Sequence, residues 1–133
     1  MSGATPLIAV VDDEESVRRA LERLIRSARF ATESFAGGDE FLRALTDHRP
    51  DCVVLDIHMP NVDGFQVQSR LANAKLAIPV IVITGHDSAE THARALKGGA
   101  VAYLRKPVDA ETLLSAISSA LRGRREERRE LPN

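Results

Sequence analysis

Residues suited to metal and phosphate chemistry follow four short apolar runs of this 133-residue chain. The runs cover positions 7–11, 52–55, 80–83 and 101–104, and they are followed in the same order by Asp12 and Asp13, by Asp56, by Thr84, and by Arg105 and Lys106. Each residue alone has an ordinary explanation, such as a helix N-cap or a turn at the end of a strand. If the runs are parallel strands, however, their carboxyl ends lie at one edge of a sheet, so the polar side chains converge. Together they indicate a site.

Three carboxylates at one edge predict a cation and a phosphoryl group as their ligands. Packed together, Asp12, Asp13 and Asp56 repel one another unless a cation neutralises them. Carboxylate oxygens suit a hard ion, and Mg²⁺ is usually held by one or two carboxylates together with waters and phosphate. Mg²⁺ and the Lys106 ammonium would stabilise the oxygens of a transferring phosphoryl group, to which the Thr84 hydroxyl can donate a hydrogen bond. Asp56 is then free to act as the nucleophile and to form an aspartyl phosphate.

The elements that must position these residues can be read from the hydrophobic pattern. The apolar runs are continuous rather than alternating, which is typical of strands buried on both faces of a parallel sheet. A fifth strand, predicted at residues 30–35, is weaker because its centre is polar. Segments with helical periodicity lie between and after the strands, at residues 17–28, 41–45, 65–72, 88–97 and 109–121. Strand and helix alternate five times, which predicts a single α/β domain with helices on both faces of a parallel sheet.

The composition excludes several classes of protein. The net charge of −1 gives no global electrostatic reason to bind nucleic acid or an anionic membrane. The single cysteine, Cys52, lies in an apolar run, so we expect a buried, unreactive thiol, as in a reducing cytoplasm. We find neither a signal peptide nor an apolar stretch near the roughly 20 residues that span a bilayer. A soluble, cytoplasmic protein is therefore expected.

The chain ends in a charged segment, residues 122–133, without an apolar stripe that would continue the preceding helix. This segment is either a solvated extension of that helix or disordered. We predict an N-terminal extension at residues 1–6, one folded domain at residues 7–121, and a charged tail or the start of a linker at residues 122–133.

Four motifs make the chain resemble the receiver domain of bacterial two-component response regulators. They are Val10-Val-Asp-Asp-Glu14, Val53-Val-Leu-Asp-Ile-His-Met-Pro60 with Asp63-Gly64, Ile81-Val-Ile-Thr-Gly85 and Gly98-Gly-Ala-Val-Ala-Tyr-Leu-Arg-Lys-Pro107. The segments 10–20, 34–37 and 40–42 resemble the FixJ-like subgroup in particular. The resemblance covers residues 7–121 and implies a doubly wound (βα)5 fold with the flavodoxin-like strand order 2-1-3-4-5.

The resemblance also implies a role for each acidic residue. Asp56 matches the phosphoacceptor. Asp13 is expected to bind Mg²⁺ directly, and Asp12 is expected to act mainly through water. The residue two positions after the acceptor, His58, is expected to offer its backbone carbonyl to the metal.

Further positions match the residues that respond to phosphorylation in this family. Thr84 matches the switch hydroxyl, and Lys106 matches the lysine that pairs with the phosphoryl group. Tyr103 matches the aromatic residue that turns inward on activation. The Lys106–Pro107 peptide bond is expected to be cis, which costs little before proline.

The surroundings of the site carry three further expectations. The imidazoles of His58 and His86 are expected to influence the lifetime of the phosphoryl group, and the His58 imidazole is not expected to bind the metal. Gly85 should leave the site open to small phosphodonors. His48 and His92 are interpreted as surface residues without an assigned role.

By resemblance, the partners are a sensor histidine kinase and, after phosphorylation, a second copy of the chain bound through the 88–121 face. Members of the FixJ-like subgroup usually carry a C-terminal helix-turn-helix domain, so the tail is expected to be the truncated start of a linker to a DNA-binding output domain. The alternative is a natural end, with a stand-alone receiver acting through protein contacts or in a phosphorelay. In either case we expect a phosphoacceptor that assists its own phosphorylation and dephosphorylation, not a conventional turnover enzyme.

Three other functions compete with this interpretation. A haloacid-dehalogenase-like phosphatase needs an aspartate two residues after its nucleophile, where this chain has His58. A flavodoxin-like cofactor binder would need a phosphate-binding loop after the first strand, where acidic residues would repel phosphate. A pseudo-receiver that works by binding alone is disfavoured because all five site residues are present.

Overall fold

The structure is a computed structural model that describes the backbone of residues 5–130 and the side chains of residues 5–124. Five strands alternate with five helices. The strands are β1 (Leu7–Val11), β2 (Ala31–Phe35), β3 (Cys52–Asp56), β4 (Val80–Thr84) and β5 (Ala102–Arg105). The helices are α1 (Glu15–Ser27), α2 (Gly38–Ala44), α3 (Gly64–Asn73), α4 (Ala89–Lys97) and α5 (Ala110–Glu130).

The five strands form one parallel sheet in the order β2-β1-β3-β4-β5. This order confirms the predicted (βα)5 fold class and its flavodoxin-like topology. The strand limits differ slightly from the prediction: β3 and β4 each continue one residue further, and β5 is shifted by one residue. The cause is pairing between neighbouring strands, since Asp56 lies opposite Ile83 and Thr84 lies opposite Arg105 in the ladders.

The sheet separates two apolar clusters, which explains why the central strands read as continuous apolar runs. One cluster joins alternate residues of β1, β3 and β4 to the helices α2, α3 and α4, through the buried side chains of Phe41, Val67, Leu71 and Ala95. The other joins the intervening residues to α1 and α5, through Leu21, Ile25, Leu113 and Ile117. Burying each large side chain contributes about 1.5–3 kcal/mol. Strand β2 is at an edge and is only partly buried, which accounts for its weak signal in the sequence.

Local signals fix where the helices begin. At α3 the Asp63 carboxylate accepts from the Gln66 N–H, and the Gln66 side chain accepts from the Asp63 N–H, both at 2.9 Å. At α4 the Ser88 hydroxyl accepts from the Thr91 N–H at 3.0 Å. At α5 the Asp109 carboxylate accepts from the Thr112 N–H at 2.9 Å.

Helix α5 continues beyond Leu121 to Glu130. Of the two possibilities for the charged tail, the helical extension is therefore present as far as Glu130. The ends of the predicted extension and tail, residues 1–4 and 131–133, lie outside the described residues. Within residues 5–130, none of the helices has a stretch that is long and apolar enough to cross a bilayer.

Gly64 brings the start of α3 into contact with the end of β3. Its N–H donates to the Ile57 carbonyl at 3.0 Å, and a Cβ at this position would lie 2.6 Å from the Asp56 carbonyl oxygen. Relief of that overlap would displace the backbone that carries Asp56.

We expect Gly64→Ala to destabilise the protein by about 1–3 kcal/mol because backbone atoms must move to accept the methyl group. Urea unfolding measures this change. Gly123→Ala is the matched control, since a Cβ there meets nothing within 4 Å and alanine favours a helix by up to about 1 kcal/mol. Equal stability of the two variants would contradict the expectation.

Candidate functional site

The predicted site residues meet at the carboxyl edge of the sheet. Asp12 directly follows β1, Asp56 and Thr84 are the last residues of β3 and β4, and Lys106 directly follows β5. Asp12 and Thr84 are fully buried, and Asp56 is 2% exposed. The parallel sheet therefore brings together four polar side chains that are far apart in the sequence.

The backbone and one carboxylate oxygen of Asp12 are held by three hydrogen bonds. Its N–H donates to the Phe35 carbonyl at 3.1 Å, and its Oδ1 accepts from the Glu14 N–H at 2.9 Å. Its carbonyl accepts from the Arg18 guanidinium at 2.8 Å. Arg18, which reaches the loop from the first turn of α1, was not predicted from the sequence. The carboxylate consequently presents a single oxygen, Oδ2, to the pocket.

Lys106 lies among the carboxylates of the pocket. Its Nζ is 2.7 Å from Asp12 Oδ2, 3.5 Å from Asp56 Oδ1 and 3.7 Å from Glu14 Oε1. Asp12 Oδ2 is buried, and the Lys106 ammonium at 2.7 Å forms an ion pair with it. An oxygen in this condition is suited to a cation.

Three carboxylates are close enough to hold a metal ion together. One carboxylate oxygen from each of Asp12, Asp13 and Asp56 lies within 4.8 Å of the others, and of the three residues Asp13 is exposed. An all-oxygen donor set of this kind fits Mg²⁺ better than a softer ion. Near the same site, the His58 N–H makes a long contact of 3.4 Å to Asp56 Oδ1.

The electrostatics of the pocket follow from its burial. Burial raises the pKa of Asp56 to about 6, and the Asp12 carboxylate adds to this rise while Lys106 opposes it. Burial disfavours the charged form of Lys106, but its hydrogen bond to Asp12 and the charges of Asp56, Asp12 and Glu14 outweigh it and raise its pKa. At neutral pH the pocket thus holds an ionised Asp56 beside a fully protonated lysine.

Thr84 keeps its hydroxyl proton available. Its Oγ1 accepts from the His86 N–H at 3.0 Å, which leaves the O–H free to donate. The Thr84 carbonyl accepts from the Lys106 N–H at 2.8 Å, and the next peptide bond, Lys106–Pro107, is cis. A Cβ at Gly85 would lie 3.8 Å from the Lys106 side chain, so this glycine leaves space beside the lysine.

The four histidines form contacts that the sequence pattern did not reveal. The rings of His58 and His86 meet edge to face with their centroids 5.0 Å apart, and both residues are exposed. His48 and His92 are exposed, as expected. His48 pairs with Glu33 at 2.8 Å, and His92 stacks on Tyr103 with the ring centroids 4.4 Å apart.

Tyr103 contacts the segment between β4 and α4. Its hydroxyl donates to the Asp87 carboxylate at 2.7 Å. Burial, the hydrogen bond to Asp87 and the charge of Asp87 together raise the pKa of the phenol to about 12. A role for Asp87 was not predicted from the sequence. Its position three residues after Thr84 is the feature that could have indicated one. Cys52 lies away from these groups, and burial raises the pKa of its thiol to about 12, as expected for an unreactive cysteine.

The chain is similar to known response regulators. The profile of the response regulator receiver domain matches residues 8–118. Nodulation protein W of Bradyrhizobium diazoefficiens is 38% identical over 130 residues, which cover 96% of this chain and 57% of that protein. The structure of the response regulator StyR is 38% identical, with a TM-score of 0.83, and the match covers 95% of this chain and 64% of StyR.

The structure of FixJ-N is 33% identical, with a TM-score of 0.83, and the match covers 90% of this chain and 95% of FixJ-N. This likeness agrees with the FixJ-like motifs of the sequence. The chain spans little more than half the length of curated relatives such as Nodulation protein W. The profile match and these identities together show that the chain belongs to the response regulator receiver domain family.

Proposed function

We propose that the chain accepts a phosphoryl group on Asp56 in a Mg²⁺-dependent reaction, with a sensor histidine kinase as the donor. The observation that carries this proposal is the position of Asp56. It is a buried carboxylate at a strand end, within 4.8 Å of two further carboxylate groups and 3.5 Å from Lys106 Nζ.

The proposed reaction uses each residue of the pocket in a distinct role. An ionised oxygen of Asp56 attacks phosphorus and forms the new P–O bond. The bond from phosphorus to the donor breaks, and the departing group keeps the electron pair and takes up a proton. Lys106 neutralises one phosphoryl oxygen, and the Thr84 hydroxyl donates to another.

Asp12, Asp13 and Asp56, with the backbone carbonyl of His58, are the proposed ligands of Mg²⁺. When bound, the ion supplies positive charge for the phosphoryl oxygens and offsets the repulsion among the carboxylates. Asp12 offers only Oδ2, because Oδ1 accepts from the Glu14 N–H. Oδ2 already pairs with Lys106 Nζ at 2.7 Å, which supports the expectation that Asp12 contributes to the metal mainly through water.

The proposed consequence of phosphorylation is homodimerisation through the face formed by residues 88–121. Tyr103 and Thr84 are the proposed switch residues that alter this face. Leu96 and Val101 support its choice, because they are 48% and 56% exposed large hydrophobic side chains on it. In sedimentation velocity, Mg²⁺ and beryllofluoride, a phosphoryl analogue, should shift the chain toward dimer, and Val101→Glu should prevent the shift. A dimer that persists in Val101→Glu would place the interface elsewhere.

The proposed output is an attached DNA-binding domain that follows a receiver at residues 7–121 and a linker that starts within residues 122–133. The greater length of Nodulation protein W, of which the matched region covers 57%, supports a second domain in the working protein. A stand-alone receiver that acts through protein contacts is the alternative. We propose that the chain itself is a phosphoacceptor and not a turnover enzyme.

The test of the proposed function is incubation with acetyl phosphate, with and without Mg²⁺, followed by intact mass measurement. We expect one phosphoryl adduct that requires Mg²⁺ and is absent from Asp56→Asn. An adduct on Asp56→Asn would exclude Asp56 as the acceptor. The absence of any adduct, under conditions that modify a known receiver, would overturn autonomous phosphorylation.

A further inference from the structure

Tyr103 is held in its position by two residues, one in the loop that follows β4 and the other in α4. Its hydroxyl donates to Asp87 Oδ1 at 2.7 Å, and its ring stacks on His92 with a centroid distance of 4.4 Å and an interplanar angle of 16°. The second oxygen of Asp87 lies 3.8 Å from the guanidinium of Arg105. The Asp87 carboxylate thus contacts two residues of β5, one on each of its oxygens.

Asp87 is connected to the phosphorylation site by a very short segment. Asp87 is three residues from Thr84. The turn between them contains a hydrogen bond from the His86 N–H to Thr84 Oγ1 at 3.0 Å. The next residue, Ser88, is the N-cap of α4. A rotation of the Thr84 hydroxyl would break this hydrogen bond and alter the turn. Because Asp87 follows directly in the same loop, its position would then change as well.

His92 links the same tyrosine to α4, which also contacts α3 through the Arg94 guanidinium, 4.0 Å above the Phe65 ring. Within α4 only Ala95 is buried, and its carbonyl accepts from the buried Gln68 side chain at 2.9 Å. The stack of His92 on Tyr103 is thus a direct side-chain contact between α4 and β5. A helix with so few buried side chains can change its packing at low cost.

We propose that Asp87 and His92 are positioning residues that hold Tyr103 and α4 in the unphosphorylated arrangement and release both when Thr84 engages the phosphoryl group. The inference rests on the proposed function and names two residues that regulate it. Contacts that exist in only one of two packings bias the equilibrium between them by their own free energy. Loss of either contact should therefore favour the phosphorylated arrangement.

The raised pKa of the Tyr103 phenol agrees with this geometry, since burial and the Asp87 carboxylate both disfavour the phenolate. An ordinary surface hydrogen bond would leave the tyrosine independent of the site. Here the acceptor lies on the loop that leaves Thr84, and the stacking partner lies on the helix that this loop begins.

Tyrosine fluorescence can test whether Tyr103 is released from Asp87. Tyr103 is the single tyrosine and the chain has no tryptophan, so tyrosine emission reports on this residue alone. A carboxylate acceptor quenches tyrosine emission, so Mg²⁺ with beryllofluoride should raise the emission of the wild-type protein. In Asp87→Ala the emission should be high from the start and should change little on addition of the analogue.

The affinity of the protein for beryllofluoride is the second measurement. Asp87→Ala and His92→Ala should each bind beryllofluoride about two- to tenfold more tightly than wild type in calorimetric titrations with Mg²⁺, the range that one net hydrogen bond or ring contact supplies. Glu90→Ala is the matched control, because it removes one exposed carboxylate from α4, the helix that carries His92. The Asp87→Ala, Tyr103→Phe double variant should gain no more than either single variant, because both remove the same hydrogen bond.

The outcomes separate the inference from the function on which it rests. If wild type binds no beryllofluoride and forms no adduct with acetyl phosphate, the proposed function fails. Either of two other results would overturn the coupling through Asp87 and His92 and leave the proposed function standing. One is that wild type binds the analogue without a change in tyrosine emission. The other is that the affinities of Asp87→Ala and His92→Ala for beryllofluoride equal that of Glu90→Ala.

Discussion

Asp56→Asn is expected to stabilise the metal-free protein by about 3 kcal/mol at pH 7. The folded protein raises the pKa of Asp56 from 3.8 to about 6, and each pKa unit corresponds to about 1.36 kcal/mol. Because the folded pKa is raised, the folded state binds a proton more tightly than the unfolded state between these two values. The ionised carboxylate therefore costs stability above pH 6 and costs little below pH 4. The side chain is almost fully buried, so solvent screens little of this cost.

Urea unfolding in EDTA across pH 4 to 7.5 measures this effect. The gain of Asp56→Asn should fall from about 3 kcal/mol at pH 7 to about 0.5 kcal/mol at pH 4. Asp47→Asn, an exposed change of the same type, should stay within about 0.5 kcal/mol at every pH. Saturating Mg²⁺ should narrow the gap at pH 7 by stabilising the wild type. A gain that does not depend on pH would show that the carboxylate of Asp56 is not destabilised by its surroundings.

Lys106→Met should have the opposite effect and destabilise the metal-free protein by about 3–5 kcal/mol at pH 7. The change leaves Asp12 and Asp56 buried beside each other without the ammonium that now lies 2.7 and 3.5 Å from them. The loss should shrink as the pH falls, because protonation of a carboxyl removes the unpaired charge. Phosphorylation by acetyl phosphate should slow by about 100-fold or more, since a cationic donor to the phosphoryl oxygens is lost.

Thermal and urea unfolding, each with EDTA and with Mg²⁺, measure the stability of Lys106→Met. Mg²⁺ should recover part of the loss, and the Asp56→Asn, Lys106→Met double variant should recover more, because one of the two facing carboxylates is gone. Lys75→Met is the control at an exposed lysine. A stability of Lys106→Met equal to that of Lys75→Met would mean that the carboxylates do not need the lysine.

Much of the fold and the convergence of the site could be predicted, because both follow from periodic patterns. Strands β1, β3 and β4 are buried on both faces, so their residues form unbroken apolar runs, and parallel pairing places Asp12, Asp56 and Thr84 at one edge. Strand β2 was less distinct because it lies at an edge and is partly exposed.

Contacts between side chains on different elements could not be predicted in the same way. The hydrogen bond from Arg18 to the Asp12 carbonyl, the contact of His58 with His86, and the hydrogen bond from Tyr103 to Asp87 depend on loop conformation and rotamers. None of these leaves a repeat in the sequence. The length of α5 was also open, because its last turns have charged residues and no apolar stripe.

The arrangement of Lys106 among the carboxylates has a consequence for the order in which ligands enter the pocket. Asp12, Asp13, Asp56 and Lys106 carry a formal charge of −2 in sum at neutral pH, and a phosphodonor is itself an anion. Without a cation these four groups would repel an anionic phosphodonor, and one divalent cation would bring them to neutrality. The concentration of free Mg²⁺ should set how often the pocket can accept a donor, so we expect the metal to bind before the phosphodonor.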